Sequence, residues 1–291
     1  MENPRFADLH LHTRHSDGAH APGKVVELAA GLGFTCVAIT DHDTVAGYEQ
    51  AAQAGDALGV RVITGMEVST SLHGETVHIL GYFFDPGHES ILRIVDENQK
   101  VRLSRMERMV GKLNTLGIPA RFDEVMEFTG KRGVGRMALA RYLVAKGMSV
   151  SVERAFTSLI GDHGPAFEPM ERFTPDQAIG LIASAGGASS LAHPGGGLDE
   201  GELAGYVEAG LDAIEVYNPC HDDAARARLY ALARRFGLAV TGGSDCHGEP
   251  GGAQALGAVR LPYGRVEELQ QRAAAAGAWR RGREDQDDEA A

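Results

Sequence analysis

His10 and His12 stand two residues apart in Asp8-Leu9-His10-Leu11-His12. A strand turns alternate side chains to the same face, so Asp8, His10 and His12 point one way and Leu9 and Leu11 the other. Two imidazoles aimed at one point begin a divalent-metal site, or simply make a hydrogen-bonded histidine pair. Three further clusters share this character: Thr40-Asp41-His42-Asp43, Leu191-Ala192-His193-Pro194 and Gly243-Ser244-Asp245-Cys246-His247, each directly after a strand-like run. Asp17 adds a carboxylate after the first run, Glu67 another after Val60–Thr64, and His78 an imidazole near the start of the next run. Singly, each is an ordinary polar residue. Nine of them around one opening make a metal site.

Histidine and carboxylate donors without cysteine suit Mn²⁺, Zn²⁺ or Fe²⁺ and disfavour soft-metal or iron–sulfur chemistry. Six neutral imidazoles with Asp17, Glu67 and Asp245 would leave three divalent ions with an excess positive charge. A phosphate dianion and a hydroxide would balance it, so the donor set fits phosphoester hydrolysis better than cleavage of a neutral amide.

The elements that must position these residues follow from β-rich runs alternating with helical patterns, the signature of a parallel α/β sheet or barrel. Predicted strands are Phe6–Leu11, Thr35–Thr40, Val60–Thr64, Thr76–Phe84, Gly187–Ala192, Ala213–Tyr217, Ala239–Gly243 and Leu256–Leu261. Predicted helices are Pro22–Leu32, Val45–Leu58, Thr174–Ala185, Glu200–Glu208, Asp222–Phe236 and Arg265–Ala276. Thr174-Pro175-Asp176-Gln177 carries a helix start: a capping Thr, Pro in the first turn and Gln at its third position. The clusters at His42, His193 and His247 then fall at strand C-termini, the rim where α/β barrels assemble their function. From 86 to 172 the rhythm breaks. Ile91, Ile94, Val95, Met106, Met109, Val110 and Leu113 recur at helical spacing, which predicts a helical insertion whose methionines fill its core.

The chain has 291 residues, 43% hydrophobic and 23% charged, an ordinary globular composition. Its net charge of −12 argues against a broad basic face for duplex nucleic acid, though not against a local anion pocket. No apolar run is long enough to span a membrane, and Met-Glu-Asn-Pro-Arg-Phe has no export pattern, so the expected location is the cytoplasm. Cys36, Cys220 and Cys246 share no CxxC spacing, and Cys246 is expected to point away from the ligands on either side of it. The acidic stretch 280–291 is expected to be a disordered tail.

Taken in order, Asp8-Leu9-His10-Leu11-His12, Ser16-Asp17-Gly18, Thr40-Asp41-His42-Asp43, Gly65-Met66-Glu67, His78, Ala192-His193-Pro194 and Gly243-Ser244-Asp245-Cys246-His247 resemble the polymerase and histidinol phosphatase (PHP) family of metal-dependent phosphoesterases. The resemblance implies a distorted (β/α)7 barrel formed by 1–85 and 173–279, with the insertion 86–172 contributing to the substrate pocket. It also implies a trinuclear centre. His10, His12, Glu67 and Asp245 would hold one ion, bridging Glu67 with His78 and His193 a second, and Asp17, His42 and His247 a third, Mn²⁺ being favoured over Zn²⁺ or Fe²⁺. A metal-bridging hydroxide would attack phosphorus. Asp8 and Asp41 flank these positions and either orient imidazole rings or make core hydrogen bonds.

Within the family, the insertion, Gly133-Val134-Gly135-Arg136 and Glu215-Val216-Tyr217-Asn218-Pro219-Cys220-His221 are similar to the branch acting on nucleoside 3′,5′-bisphosphates and the 5′ ends of short RNA. Arg136 would clamp a phosphate, Asn218 and His221 would reach the nucleotide, and Arg105, one helical turn from Arg102, would dock a second phosphate. The chain departs from that branch after Arg136, where Met137-Ala138 replaces a segment that usually carries His. Histidinol-phosphate phosphatase is the alternative enzyme, and a metal-stabilised binding module without activity is the alternative of another kind.

Overall fold

The computed structural model describes residues 4–129, 134–169, 173–248 and 255–288; Gly133, the last insertion residues 170–172 and the tail end 289–291 lie outside them. The strands form two sheets. In the first, β1 (Phe6–Leu11), β2 (Cys36–Ile39) and β3 (Arg61–Ile63) run parallel in the order β3-β2-β1, and the short β9 (Leu261–Pro262) closes antiparallel on β1. The second has the order β4-β5-β6-β7-β8, from β4 (Gly65–Leu72), β5 (Glu75–Tyr82), β6 (Ala188–Leu191), β7 (Ala213–Tyr217) and β8 (Ala239–Gly242). Here β6, β7 and β8 are parallel, but β4, β5 and β6 alternate in direction.

The antiparallel β4–β5 pair departs from the expected all-parallel barrel. Its cause is local: His73 and Gly74, both at positive φ (51° and 87°), make the two-residue turn that closes a tight hairpin. The two sheets touch at the end where the candidate ligands sit, through the isolated bridges Leu11–Cys246 and His42–Glu67, and among the described residues no continuous strand ladder joins them into one barrel sheet. The predicted strand Leu256–Leu261 shrinks to β9, because Gly257 at φ 93° and an Ala258 N–H to Ala255 carbonyl bond make a turn there.

Helices α1 (Pro22–Gly31) and α2 (Tyr48–Leu58) cover the first sheet, where Val25, Val26 and Ala29 pack on Val37 and Ile39. On the second sheet, Met66, Val68 and Ile79 meet residues that later elements supply: Ile179 and Ile182 of α7 (Pro175–Ser184), Leu203 of α8 (Glu200–Glu208) and Leu229 of α9 (Asp223–Phe236). α7 starts as predicted, in a capping box of Thr174 and Gln177.

No strand occurs among the described residues of 86–172. α3 (Glu89–Thr115), α4 (Phe122–Thr129), α5 (Arg136–Ala145), the single turn α6 (Val152–Ala155) and a π-helical turn at Phe156–Ile160 form the insertion. Its core is its own: Met106, Met109, Val110 and Leu113 of α3 pack on Leu139, Tyr142, Leu143 and Ile160. The first half of α3 instead buries Ile91 and Ile94 against the second sheet, so one long helix belongs to both cores. The last helix, α10, runs Tyr263–Asp288, so most of the stretch expected to be disordered continues a helix. Val266, Leu269 and Ala273 anchor its first turns, and extending an established helix costs little.

Candidate metal centre

Backbone geometry brings the nine candidate ligands together. His10 lies in the buried part of β1, and His12 directly follows the strand, its N–H donating to the Cys246 carbonyl at 3.1 Å. Asp245 is held next to them by its own N–H, which donates to the His10 carbonyl at 2.8 Å. His42 follows β2 and pairs with Glu67 across the sheet junction. Glu67, expected in a loop after a strand, lies inside β4, whereas His78 lies near the start of β5, where the sequence placed it. Ser69 faces His78 and Glu67 faces Leu80, so Glu67 and His78 are diagonal neighbours on one face of the hairpin. His193 and Asp245 occupy the left-handed region, at φ 28° and 53°. Such backbone is costly for a residue with a side chain and collects at functional sites.

Glu67 lies at the middle and is 1% exposed. Its Oε2 is 3.3 Å from His10 Nε2, 3.2 Å from His12 Nε2 and 3.1 Å from His42 Nδ1. Its Oε1 is 2.8 Å from His78 Nδ1 and 3.0 Å from His193 Nε2. Asp245 Oδ1 lies 3.1 Å from His12 Nε2 and 3.4 Å from His10 Nε2, and Asp17 Oδ1 lies 3.2 Å from His247 Nε2. The donor atoms fall into overlapping groups, each within 4.8 Å: His12, Asp17, His42 and His247; His10, His12 and Glu67; His10, His193 and Asp245; His42, Glu67 and His78.

The protonation pattern is that of a site built for cations. Burial opposes ionisation of Glu67, but the surrounding His42, His78 and His10 outweigh it and hold the carboxyl well below its ordinary range. Asp17 is likewise pulled down against burial, chiefly by His42 and His247. Burial would depress His12, yet its contacts with Asp245 and Glu67 raise it to about 10, whereas for His42 burial prevails and lowers it to about 3. A direct fit test comes from hydrogen bonding. His10 Nε2, His12 Nε2, His42 Nδ1 and Glu67 Oε2 are buried without a hydrogen-bond partner, although they converge on one volume. Unpaired buried polar atoms are costly, and cations between them would satisfy all four. The residues therefore fit divalent metal. Cys246 takes no part, its Sγ accepting from the Gly248 N–H at 3.3 Å.

The carboxylates that support the ligands are not all those expected. Asp41 accepts from Thr13 N, Thr13 Oγ1 and Ser16 Oγ, each at 2.6 Å, and so braces the loop that carries Asp17. Asp8 accepts from the backbone N–H of Ser244 and of His10, and burial raises its pKa to about 6. Neither carboxylate is hydrogen-bonded to an imidazole: Asp8 is taken by backbone N–H groups, and Asp41 by one backbone N–H and two hydroxyls. That contact falls to Glu215 in β7, whose Oε1 lies 3.0 Å from His10 Nδ1. The sequence did hold a signal: one carboxylate inside the otherwise apolar Ala213–Tyr217.

Beside the centre lies a cavity of about 220 Å³, lined by Asp17, His42 and His78 on one side and by Arg102, Arg105, Arg136 and Phe156 on the insertion side. Arg102 donates to Asp43 Oδ2 at 2.7 Å and to Ser69 Oγ at 2.8 Å. Arg105 is 9% exposed and donates to the Glu168 carbonyl. Its burial, with Arg136 and Arg102 beside it, lowers its pKa to about 10. Arg136 bonds Asp162 at 2.6 Å and lies against the rings of Phe156 and Phe167. Met137 also lines the cavity.

Asn218 and His221, expected to reach the substrate, do not line it. Asn218 is fully buried, donating to Glu215 Oε2 and accepting from Cys220 N. His221 spends both ring nitrogens on backbone, at Val216 O and Gly195 N. Asn218 follows β7 immediately and His221 lies in the same loop, and both turn inward to brace it.

The sequence profile of the PHP domain matches residues 8–131. Among characterised proteins, the chain is 33% identical to a 3′,5′-nucleoside bisphosphate phosphatase of Chromobacterium violaceum, over 86% of this chain and 90% of that one. It is 32% identical to a 5′-3′ exoribonuclease of Haemophilus influenzae (82% and 89% covered) and 33% identical to a phosphoribosyl 1,2-cyclic phosphate 1,2-diphosphodiesterase of Eggerthella lenta (88% and 98%). A solved metal-dependent phosphoesterase from Bifidobacterium adolescentis superimposes with a TM-score of 0.85 at 31% identity, covering 93% of this chain and 98% of that one.

Proposed function

The chain belongs to the PHP family and is a metal-dependent phosphoric ester hydrolase, and on that premise we propose that it acts on small nucleotides carrying more than one phosphate: nucleoside 3′,5′-bisphosphates or the 5′ ends of short RNA. The observation that carries this reading is the cavity with the ligand cluster on one wall and three guanidiniums on the other. Like charges crowd there, and Arg105 is buried among them. A second anionic group on the substrate relieves that repulsion and makes charge-assisted bonds. A substrate with a single phosphate at the metals, such as histidinol phosphate, brings no second anion to the arginine wall.

His10, His12, Glu67 and Asp245 would hold one divalent ion, Glu67 with His78 and His193 a second, and Asp17, His42 and His247 a third, with Mn²⁺ favoured. Bound there, the metals supply Lewis acidity for the phosphoryl oxygens and activate water as the nucleophile. The protein's own side chains do the rest. Glu67, shared by two donor groups, would keep both in fixed relation. Arg105 and Arg136 orient the second phosphate, and Phe156 and Met137 shield that side of the cavity from water. Arg141 of α5 donates to the Asp17 carbonyl at 3.0 Å and so ties the insertion to the ligand loop. The folded chain is thereby set to read both ends of a short substrate.

Arg136→Ala tests the reading through kcat/KM in the Mn²⁺-loaded enzyme. A nucleoside 3′,5′-bisphosphate should lose about 10- to 100-fold, the worth of one charge-assisted hydrogen bond of about 1.5–3 kcal/mol, while histidinol phosphate changes little. Equal losses on both substrates, or a wild-type preference for histidinol phosphate or a 1,2-cyclic phosphate, contradict it.

A further inference from the structure

Glu215 is fully buried in β7, yet every one of its contacts leads to the metal ligands or to the loop beside them. Its Oε1 meets His10 Nδ1 at 3.0 Å. Its Oε2 accepts from the His193 backbone N–H at 2.8 Å and from Asn218 Nδ2 at 3.1 Å. We infer that Glu215 is a positioning residue that sets two ligands from separate strands at once, the ring of His10 and the backbone of His193. The inference rests on the metal-centre reading above.

Each contact has its own consequence. An ionised carboxylate accepts only, so opposite Glu215 the Nδ1 of His10 must carry the proton. That leaves Nε2 with its lone pair, and Nε2 is the atom buried without a hydrogen-bond partner near Glu67 and Asp245. A hydrogen-bonded carboxylate also raises the basicity of a ligating imidazole and fixes its orientation. At His193 the backbone lies at φ 28°, and the bond from its N–H to Glu215 holds that strained turn. The His193 ring is thereby kept 3.0 Å from Glu67 Oε1. Asn218 completes the set, so all three bonds to the carboxylate come from N–H donors.

This geometry separates charge from shape. Glu215→Gln keeps the volume but introduces an NH2 group, which must oppose either His10 Nδ1–H or the N–H pair from His193 and Asn218. One side then loses its bond. Full-length wild type, Glu215→Gln and Ser190→Ala are compared by Mn²⁺ titration against a chelator and by thermal unfolding of the chelated proteins. Ser190 is a structural control, because it shares a buried 2.8 Å hydrogen bond with Thr241 and is not itself a candidate ligand. The expected result is Mn²⁺ affinity weakened about 10- to 100-fold in Glu215→Gln, with Ser190→Ala losing stability but keeping wild-type affinity. Affinity within about twofold of wild type in a folded Glu215→Gln protein overturns the assignment. A wild type that takes up no metal overturns the metal-centre reading and this inference with it. If Glu215→Gln does not fold, nitrogen-resolved NMR of Zn²⁺-loaded wild type decides. A hydrogen-bonded Nδ1 proton on His10 supports the role, and metal ligation through Nδ1 overturns it.

Discussion

At Glu67 a single buried carboxylate comes within 3.3 Å of five imidazoles, and no other residue of the site touches so many. Its charge is what lets them collect there, and among the described residues it is the carboxylate that belongs to two of the ligand sets. Glu67→Gln keeps the shape and removes the charge. The expected outcome is a protein with wild-type circular dichroism, reduced metal content and phosphate release down by more than about 100-fold, since even outer partners of metal ligands cost 10- to 100-fold. Full metal content and turnover contradict this role. The nine candidate ligands that the structure gathers could all be picked out of the sequence as His and carboxylate in or just after strand-like runs, because metal donors are a short menu of residue types. Supporting contacts could not. Whether Asp8, Asp41 or Glu215 faces an imidazole depends on which way a turn aims a carboxylate, and no residue type encodes that. Asn218 and His221 misled for the same reason: a polar residue after a strand can point to the cavity or back into the fold.

At the level of elements, the site exists because two sheets approach each other at one end. The approach is tightest at Gly243, where a methyl would stand 2.3 Å from both the Cβ and the backbone N of His10. Neither backbone can yield without moving a ligand, since Asp245 follows two residues later. Gly243→Ala is therefore expected to cost about 3 kcal/mol, the upper end for overpacking, and to weaken metal retention together with stability. Thermal unfolding and metal analysis of the purified variant check this, and a variant matching wild type in both contradicts the close approach. Most strands and helices were legible from apolar runs and alternation. β4 was missed although Met66, Val68 and Thr70 alternate with Glu67, Ser69 and Ser71, because a polar face normally reads as solvent-facing and this one is buried against the ligands. Overlooking the His73-Gly74 turn hid the antiparallel hairpin, and with it the departure from a parallel barrel.

Across the whole molecule, charge balance couples fold stability, metal and pH. His12, raised to about 10 in the metal-free fold, is held protonated there. It contributes stability that is complete below its unfolded value, about 6.5, and is lost as pH climbs through about 10. Metal must replace that proton, so uptake releases protons and tightens as pH rises. The Tm of chelated protein should fall between about pH 6.5 and pH 9, while the increment added by Mn²⁺ widens over the same range. Equal increments at both ends contradict the protonation pattern. On the same scale, no helix among the described residues is long and apolar enough to cross a membrane. The insertion has its own core yet borrows α3 from the sheet, so the arginine wall and the ligand cluster are carried on one continuous helix-to-sheet contact. Metal-dependent hydrolysis of phosphoesters is what this assembly carries out. Its most direct test is inorganic phosphate release from a nucleoside 3′,5′-bisphosphate by the same protein sample as purified, after chelation and after Mn²⁺ is restored. Activity lost on chelation and recovered with Mn²⁺ is the expected result; release that is indifferent to chelation, or absent from fully loaded protein, would contradict the account.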